Sequence, residues 1–270
     1  MTHLSGIPET MLWTLHNRAS EAMHPRGVIR DPKCIEIYEA ISYDYEASFG
    51  PPEPSHGVRS QVFDTRVQAF IDANPDAVIV NLGEGLETQR FRVRDREDTL
   101  WMAIDVPEAI EVRERFIEAD GRHLHLAKSA LDRSWFDELP SGRPIFVTAQ
   151  GLFMYFEEQD VAALVRDLAK RWPGVALMFD HIPRWLSRRT TSKTGWQKTK
   201  HYTTPPMPWG VDRPELQPLL RSWAGTVSDY ESLPFSFPRG FQRLVFGAFM
   251  AIPGLRDRAP GIAFCRLGTS

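Results

Sequence analysis

The segment Val78-Ile-Val-Asn-Leu-Gly-Glu-Gly-Leu-Glu-Thr88 constrains this chain more than any other: an apolar run stops at Gly83-Glu84-Gly85, and a second apolar run closes at Asp105. A strand buried on both faces of a parallel sheet reads as continuous β-branched residues. Glycines at its carboxyl end let the backbone turn sharply and pass close to a ligand. An acid ending the next strand can accept from the two hydroxyls of a ribose. Together these features describe a nucleotide-cofactor site in an open α/β sheet.

Dinucleotide enzymes share that layout, so the cofactor has to be argued separately. Their turn usually carries a third glycine three positions after the second, which lets a helix N-terminus approach the pyrophosphate. That position here is Thr88, and Glu84 and Glu87 put negative charge where phosphates would sit. S-adenosylmethionine has no phosphate and carries an ammonium and a sulfonium, which acids near the turn favour. Two glycines alone are also compatible, though less so, with a plain strand-to-helix turn that holds no ligand.

With 270 residues, 42% hydrophobic and 25% charged, the chain can bury one sizeable α/β core with an added lid, and a single domain over 1–270 is expected. A net charge of −3 gives no general attraction to nucleic acid or anionic membrane, so neither is an expected partner. Cys34 and Cys265 are the only cysteines and make no metal spacing, so no metal site is expected and a reduced compartment is the simple reading. The opening residues lack the basic and apolar regions of a signal peptide, and no apolar run reaches membrane-spanning length. These features predict a soluble, cytoplasmic protein.

Residues 8 to 25 and 32 to 48 read as helices, the second with Asp31-Pro32 as cap and first-turn proline. From Ser60 to Ala73, Val62, Phe63, Val67, Phe70 and Ile71 keep helical spacing and lead into the first strand. Further strands are expected over 99–105, 123–128, 144–150 and 175–182, with helices over 107–119 and 157–171 between them. This alternation argues for a doubly wound parallel sheet whose ligands gather at the strands' carboxyl ends. Residues 184–215 hold a basic cluster and a proline-rich run, readable as a cap over the site or as a solvated excursion, the latter favoured for the charges. Segments 225–231 and 261–267 are candidates for a closing strand pair.

Several motifs then resemble one family. Asn81-Leu-Gly-Glu-Gly-Leu-Glu-Thr88, Ile104-Asp-Val-Pro-Glu-Ala-Ile-Glu-Val-Arg113 and Ala149-Gln-Gly-Leu-Phe-Met-Tyr155, in that order and with Arg18 and Asp31-Pro32 ahead of them, resemble the leucine carboxyl methyltransferase superfamily, in particular its bacterial tetracenomycin-type polyketide O-methyltransferases. The resemblance implies a class I methyltransferase fold: a Rossmann-like, seven-stranded, mostly parallel sheet with helices on both faces and an N-terminal helical lid, here 1–56. It implies S-adenosyl-L-methionine as donor, S-adenosyl-L-homocysteine as product and an oxygen acceptor. By position, Arg59 corresponds to the arginine that grips the donor's carboxylate, Gly83 and Gly85 lie under its methionyl part, and Asp105 takes the ribose. Chemically, a guanidinium binds a carboxylate through two parallel hydrogen bonds.

Two positions depart from the pattern. Ser129-Ala130 stands where many members have Asp-Leu near the adenine, leaving Ser129, Ala130 and Leu131 to supply backbone contacts or a hydroxyl. Gln150 replaces the glutamate of the usual Ala-Glu-Gly, losing charge at the donor's ammonium, for which Glu84 or Glu87 could compensate. Methyl transfer from a sulfonium is mostly alignment and exclusion of water. A carboxylate acceptor needs no base, whereas a phenol or alcohol does; the candidates are His181, with Asp180 orienting it, then Tyr155, His16 and His201. Trp13, His16, Phe153, Trp185 and Trp209 are candidates to line an acceptor pocket. The expected activity is O-methylation of a small acidic or phenolic metabolite, with no obligate protein partner. The alternatives are a protein C-terminal carboxyl methyltransferase and a non-catalytic adenosyl-ligand binder, with a dinucleotide oxidoreductase last.

Overall fold

Seven strands form one sheet: β1 (Val78–Leu82), β2 (Leu100–Asp105), β3 (His123–Ala127), β4 (Ile145–Ala149), β5 (Val175–His181), β6 (Val227–Pro234) and β7 (Gly261–Leu267). Their order is β3-β2-β1-β4-β5-β7-β6, parallel throughout except for β7, which runs against both neighbours. This is the seven-stranded class I methyltransferase sheet with its one antiparallel strand. The structure is a computed structural model that describes residues 9–234 and 237–268. The first eight residues, which carry the expected start of the lid and the stretch read for a leader, lie outside the described residues. Among the described residues no helix is long and apolar enough to cross a membrane.

Strand periodicity sends alternate residues of β1 to opposite faces. Val78, Val80 and Leu82 pack with Val161, Leu164, Val165 and Leu168 of α6 (Glu158–Arg171), each buried side chain contributing about 1.5–3 kcal/mol. Ile79 packs on the other face with Phe63, Val67, Phe70 and Ile71 of α4 (Ser55–Ala73). A third cluster joins α1 (Thr10–Met23), α2 (Pro32–Ala40) and α3 (Tyr45–Phe49) to α5 (Pro107–Arg113) through Leu15, Ile37, Phe49, Leu86 and Ala109. The N-terminal helices are thereby seated next to the glycine turn.

Several boundaries differ from the sequence expectation. The helix expected over 32–48 is two: Ile41 leaves helical geometry at φ −91°, ψ 109°, and Asp44 caps α3 by accepting from the backbone N–H of Ala47 at 3.0 Å. The helix over 107–119 ends at Arg113. Among the described residues no α-helix lies between β1 and β2, only a 3₁₀ turn over Gln89–Phe91, so the glycine turn does not lead into the phosphate-binding helix N-terminus of a dinucleotide site. Residues 184–215 contain α7 (Arg184–Thr190), a two-residue ladder of Trp196–Gln197 with Thr203–Thr204, and the start of α8 (Arg213–Ala224). Arg188, Arg189, Lys193 and Lys200 of this segment are exposed, as a solvated face requires. Between β6 and β7 lie α9 (Gly240–Ala251) and α10 (Pro253–Arg256), which the sequence reading did not anticipate.

Candidate active site

Strand order reverses between β1 and β4, and their carboxyl ends open onto a cavity of about 460 Å³. Its wall is built from Thr10, Met11 and Thr14 of α1, Arg59 of α4, the 81–87 turn, Asp105, Ser129, Ala130, and the 148–156 segment.

The turn after β1 is held by a chain of side-chain hydrogen bonds. Asn81 and Thr148 are register partners on β1 and β4; the Thr148 hydroxyl donates to Asn81 Oδ1 at 2.6 Å, and Asn81 Nδ2 donates to Glu84 Oε1 at 3.1 Å. Arg113 Nη2 lies 3.1 Å from the same Glu84 oxygen, while its Nη1 donates at 2.8 Å to the carbonyls of Gly85 and Glu87. Gly83 and Gly85 have φ of 63° and 48°, which favours glycine, and a Cβ on Gly83 would stand 2.7 Å from Leu152. Asp105 accepts from the N–H of Gly85 at 2.7 Å and from that of Val106 at 2.8 Å. Burial nonetheless pushes its carboxyl above the ordinary range, these two donors opposing the shift.

Glu87 is part of a different network. It accepts from Arg18 at 3.1 Å, Arg92 at 2.6 Å and the Ser60 hydroxyl at 3.1 Å. Burial alone would raise its pKa, but the Arg18 and Arg92 guanidiniums outweigh it and hold the carboxylate well below the usual range. Asp31 joins them, capping α2 through the N–H of Cys34 and accepting from Thr88 and Arg92 at 2.6 Å each. Glu87 therefore fastens the N-terminal helices to the turn and, although it borders the cavity, both of its oxygens already have partners, so the expectation that it could face the donor's ammonium is corrected.

Across the reversal, Arg59 Nη1 donates to Asp180 Oδ2 at 2.9 Å, and the Gly151 N–H donates to the other oxygen of Asp180. Arg59 Nε is buried without a partner. Tyr155 also lines the cavity and is bonded to Thr10; burial pushes its phenol up to about 12. It is thus protonated at neutral pH and suited to donate a hydrogen bond, whereas a general base works best with a pKa near the operating pH.

Of the sequence candidates, Arg59, Gly83, Glu84, Gly85, Asp105, Ser129, Ala130, Gln150 and Tyr155 meet on this one cavity. Leu131 does not line it and packs on the core beside α6. His181 is corrected: consecutive strand residues face opposite ways, so Asp180 turns to Arg59 while His181 points away, with Nδ1 3.2 Å from the carbonyl of Val211. Burial lowers its pKa to about 4. His16 lies off the cavity, between the Tyr38 hydroxyl and the Gly50 carbonyl, and His201 is exposed. The acceptor aromatics are corrected too. Phe153 and Trp209 are core residues packed with Phe179, and Trp185 is 54% exposed with its indole donating to the Arg258 carbonyl. Trp13 sits among Phe49, His56, Trp196 and Tyr202 and does not line the cavity. Asn81, Thr148 and Arg113, which hold the turn, were missed, and Asp180 was read only as the partner of His181. The signal for the first two was a polar residue inside each of two otherwise apolar buried strands, which must find a partner.

The seven-stranded fold, with Arg59, Asp105 and two orphaned buried acceptors around one cavity at the strands' carboxyl ends, is that of a class I S-adenosylmethionine-dependent methyltransferase. The model of the family described as Leucine carboxyl methyltransferase matches residues 13–169. The tetracenomycin polyketide synthesis O-methyltransferase TcmP of Streptomyces glaucescens is 32% identical over 205 residues, 72% of this chain and 76% of that protein. The S-adenosyl-L-methionine-dependent methyltransferase dpfgK of Gibberella zeae is 25% identical over 186 residues, 63% of this chain and 62% of its own length. Among solved structures, the N-methyltransferase NodS of Bradyrhizobium japonicum WM9 in complex with S-adenosyl-L-homocysteine superposes with a TM-score of 0.51 at 11% identity, covering 88% of this chain and 99% of NodS. That likeness is one of fold. The chain belongs to the leucine carboxyl methyltransferase family.

Proposed function

We propose that the protein methylates an oxygen of a small acidic metabolite, a carboxylate before a phenol. The observation that carries this is the cavity wall itself: among the described residues that line it there is no histidine, and its one phenol, Tyr155, is held protonated. An acceptor that arrives as an anion suits such a wall, because it needs no base. S-adenosylmethionine supplies an electrophilic methyl on a sulfonium. Arg59 binds its carboxylate, keeping Asp180 as the partner that sets the guanidinium in place. Asp105, fixed by two backbone N–H groups, retains lone pairs for the ribose hydroxyls. Gly83 and Gly85 let the chain pass close beneath the methionyl part, and Ser129 and Ala130 bound the adenine end. Tyr155 donates a hydrogen bond at the acceptor end, and α1 excludes water through Thr10, Met11 and Thr14. The name of the TcmP relative supports an oxygen of a polyketide-like molecule as acceptor.

The family's description favours a second reading, methylation of a protein's C-terminal carboxylate. Both are tested by incubating the enzyme with labelled S-adenosylmethionine and three acceptor panels: aromatic acids, phenols lacking an acid, and peptides with free carboxyl ends. Label released by mild alkali marks a methyl ester; alkali-stable label marks an ether. Alkali-stable product from phenols alone would overturn the carboxylate reading. Alkali-labile product from peptides alone would replace the small acceptor with a protein end. Tight donor binding without turnover on any panel would favour a non-catalytic binder.

A further inference from the structure

Two oxygens buried at the cavity wall have no hydrogen-bond partner: Oε2 of Glu84 and Oε1 of Gln150. A buried acceptor left unmatched costs about 1–3 kcal/mol. Two of them on one wall mark the place where a ligand brings N–H donors. They are neighbours by topology, because Leu82 and Ala149 are register partners and the two residues lie just beyond them on adjacent parallel strands. Glu84 is not free to turn away, since its other oxygen is gripped by Asn81 and Arg113. The arginine that meets a carboxylate lies close by: a Cβ on Gly151, the residue after Gln150, would stand 2.8 Å from Arg59 Nη1. Cation-seeking oxygens beside an anion-seeking guanidinium match the two ends of an α-amino acid.

We propose that Glu84 and Gln150 jointly bind the α-ammonium of the donor, Glu84 providing from the glycine turn the charge that the family pattern usually carries at position 150. An ammonium has three N–H donors, enough for both oxygens and one more acceptor. Glu87 is excluded from this role because both of its oxygens already have partners, Oε1 with Arg18 and Arg92 and Oε2 with the Ser60 hydroxyl. The inference rests on the donor orientation given under the proposed function.

Calorimetry on the full chain tests it with two probes, S-adenosylhomocysteine, which has the amino-acid end, and 5′-methylthioadenosine, which lacks it. Glu84→Gln is expected to weaken S-adenosylhomocysteine roughly tenfold or more while leaving 5′-methylthioadenosine within about twofold, since a charged hydrogen bond is lost at one end only. Adding Gln150→Glu to that variant should restore most of the affinity by moving the charge to the other strand. Equal weakening of both probes would overturn the proposal, because Glu84 would then act only by holding Arg113 and the turn. Unchanged S-adenosylhomocysteine affinity would overturn it as well. Failure of the unmodified protein to discriminate between the probes would instead remove the donor orientation itself.

Discussion

The carboxyl edge of β1 and β2 and the segment that follows β5 both set polar and aromatic side chains at the rim of the sheet, yet they use them in opposite ways. At the first edge Asn81, Glu84, Asp105 and Gly85 are tied to one another within a few residues of the strands that carry them, and all four face the cavity. At the end of β5 and beyond it the side chains that looked equally functional go elsewhere: His181 to the Val211 carbonyl, Trp209 into the core, Trp185 to solvent and the Arg258 carbonyl. A site made by local turn chemistry keeps its geometry wherever the strand ends. Aromatic residues in an irregular segment are placed by whichever apolar surface is nearest.

The largest effects should fall where a role was misread or a network is buried. Trp209→Ala should cost about 3–5 kcal/mol of stability through the cavity left among Phe153, Phe179 and Trp223, with donor affinity per folded molecule unchanged; a raised acceptor KM without loss of denaturant midpoint would break the contrast. Arg92→Ala should also cost about 3–5 kcal/mol, because it leaves Asp31, Asp64 and Glu87 buried with a missing partner. Its urea midpoint is the measurement, and a change below about 0.5 kcal/mol would count against the network. Arg59→Lys should weaken S-adenosylmethionine by about 1.5–3 kcal/mol in calorimetry, since a lysine cannot form the paired bonds of a guanidinium.

A smaller effect concerns pH. The folded pKa of His181 is lowered to about 4 while the unfolded chain keeps a value near 6.5, so below about 6.5 the unfolded state takes up a proton that the folded one refuses. Stability from this group is therefore full at neutral pH and falls as pH drops toward 4. Between pH 7 and pH 5 it should account for about 2 kcal/mol, which His181→Gln removes from the pH dependence of the urea midpoint. His123, lowered to about 3 by burial, adds a loss of the same sign that the variant keeps. A bell-shaped rate profile that loses its acid limb in His181→Gln would restore the histidine to catalysis. Least affected should be Trp185→Ala, within about 0.5 kcal/mol of the parent as befits an exposed side chain.

The glycine turn was legible before any coordinates because its parts are covalently close: Gly83 and Gly85 need positive φ, and Asp105 ends the neighbouring strand in register with it. Strands β1 to β5 were legible for a similar reason, each being a short segment bounded by turn residues, mostly apolar in β1, β2, β4 and β5 and alternating in β3. Which acid near the turn keeps an unpartnered oxygen was not legible. Glu84 and Glu87 look alike in sequence, and only their partners separate them: Asn81 and Arg113 hold one oxygen of Glu84, whereas Arg18, Arg92 and Ser60 engage both oxygens of Glu87. Likewise Asp180-His181 read as an orienting pair along the chain, whereas the pleat sends the two side chains to opposite faces. By itself the sequence determined the sheet, the place of Asp105 beside the glycine turn and a cofactor without phosphate, all consequences of backbone geometry and short-range register. The charge partners of the turn, the fate of every tryptophan and the composition of the acceptor end were decided by tertiary structure, because they depend on contacts between residues that the chain brings together only on folding.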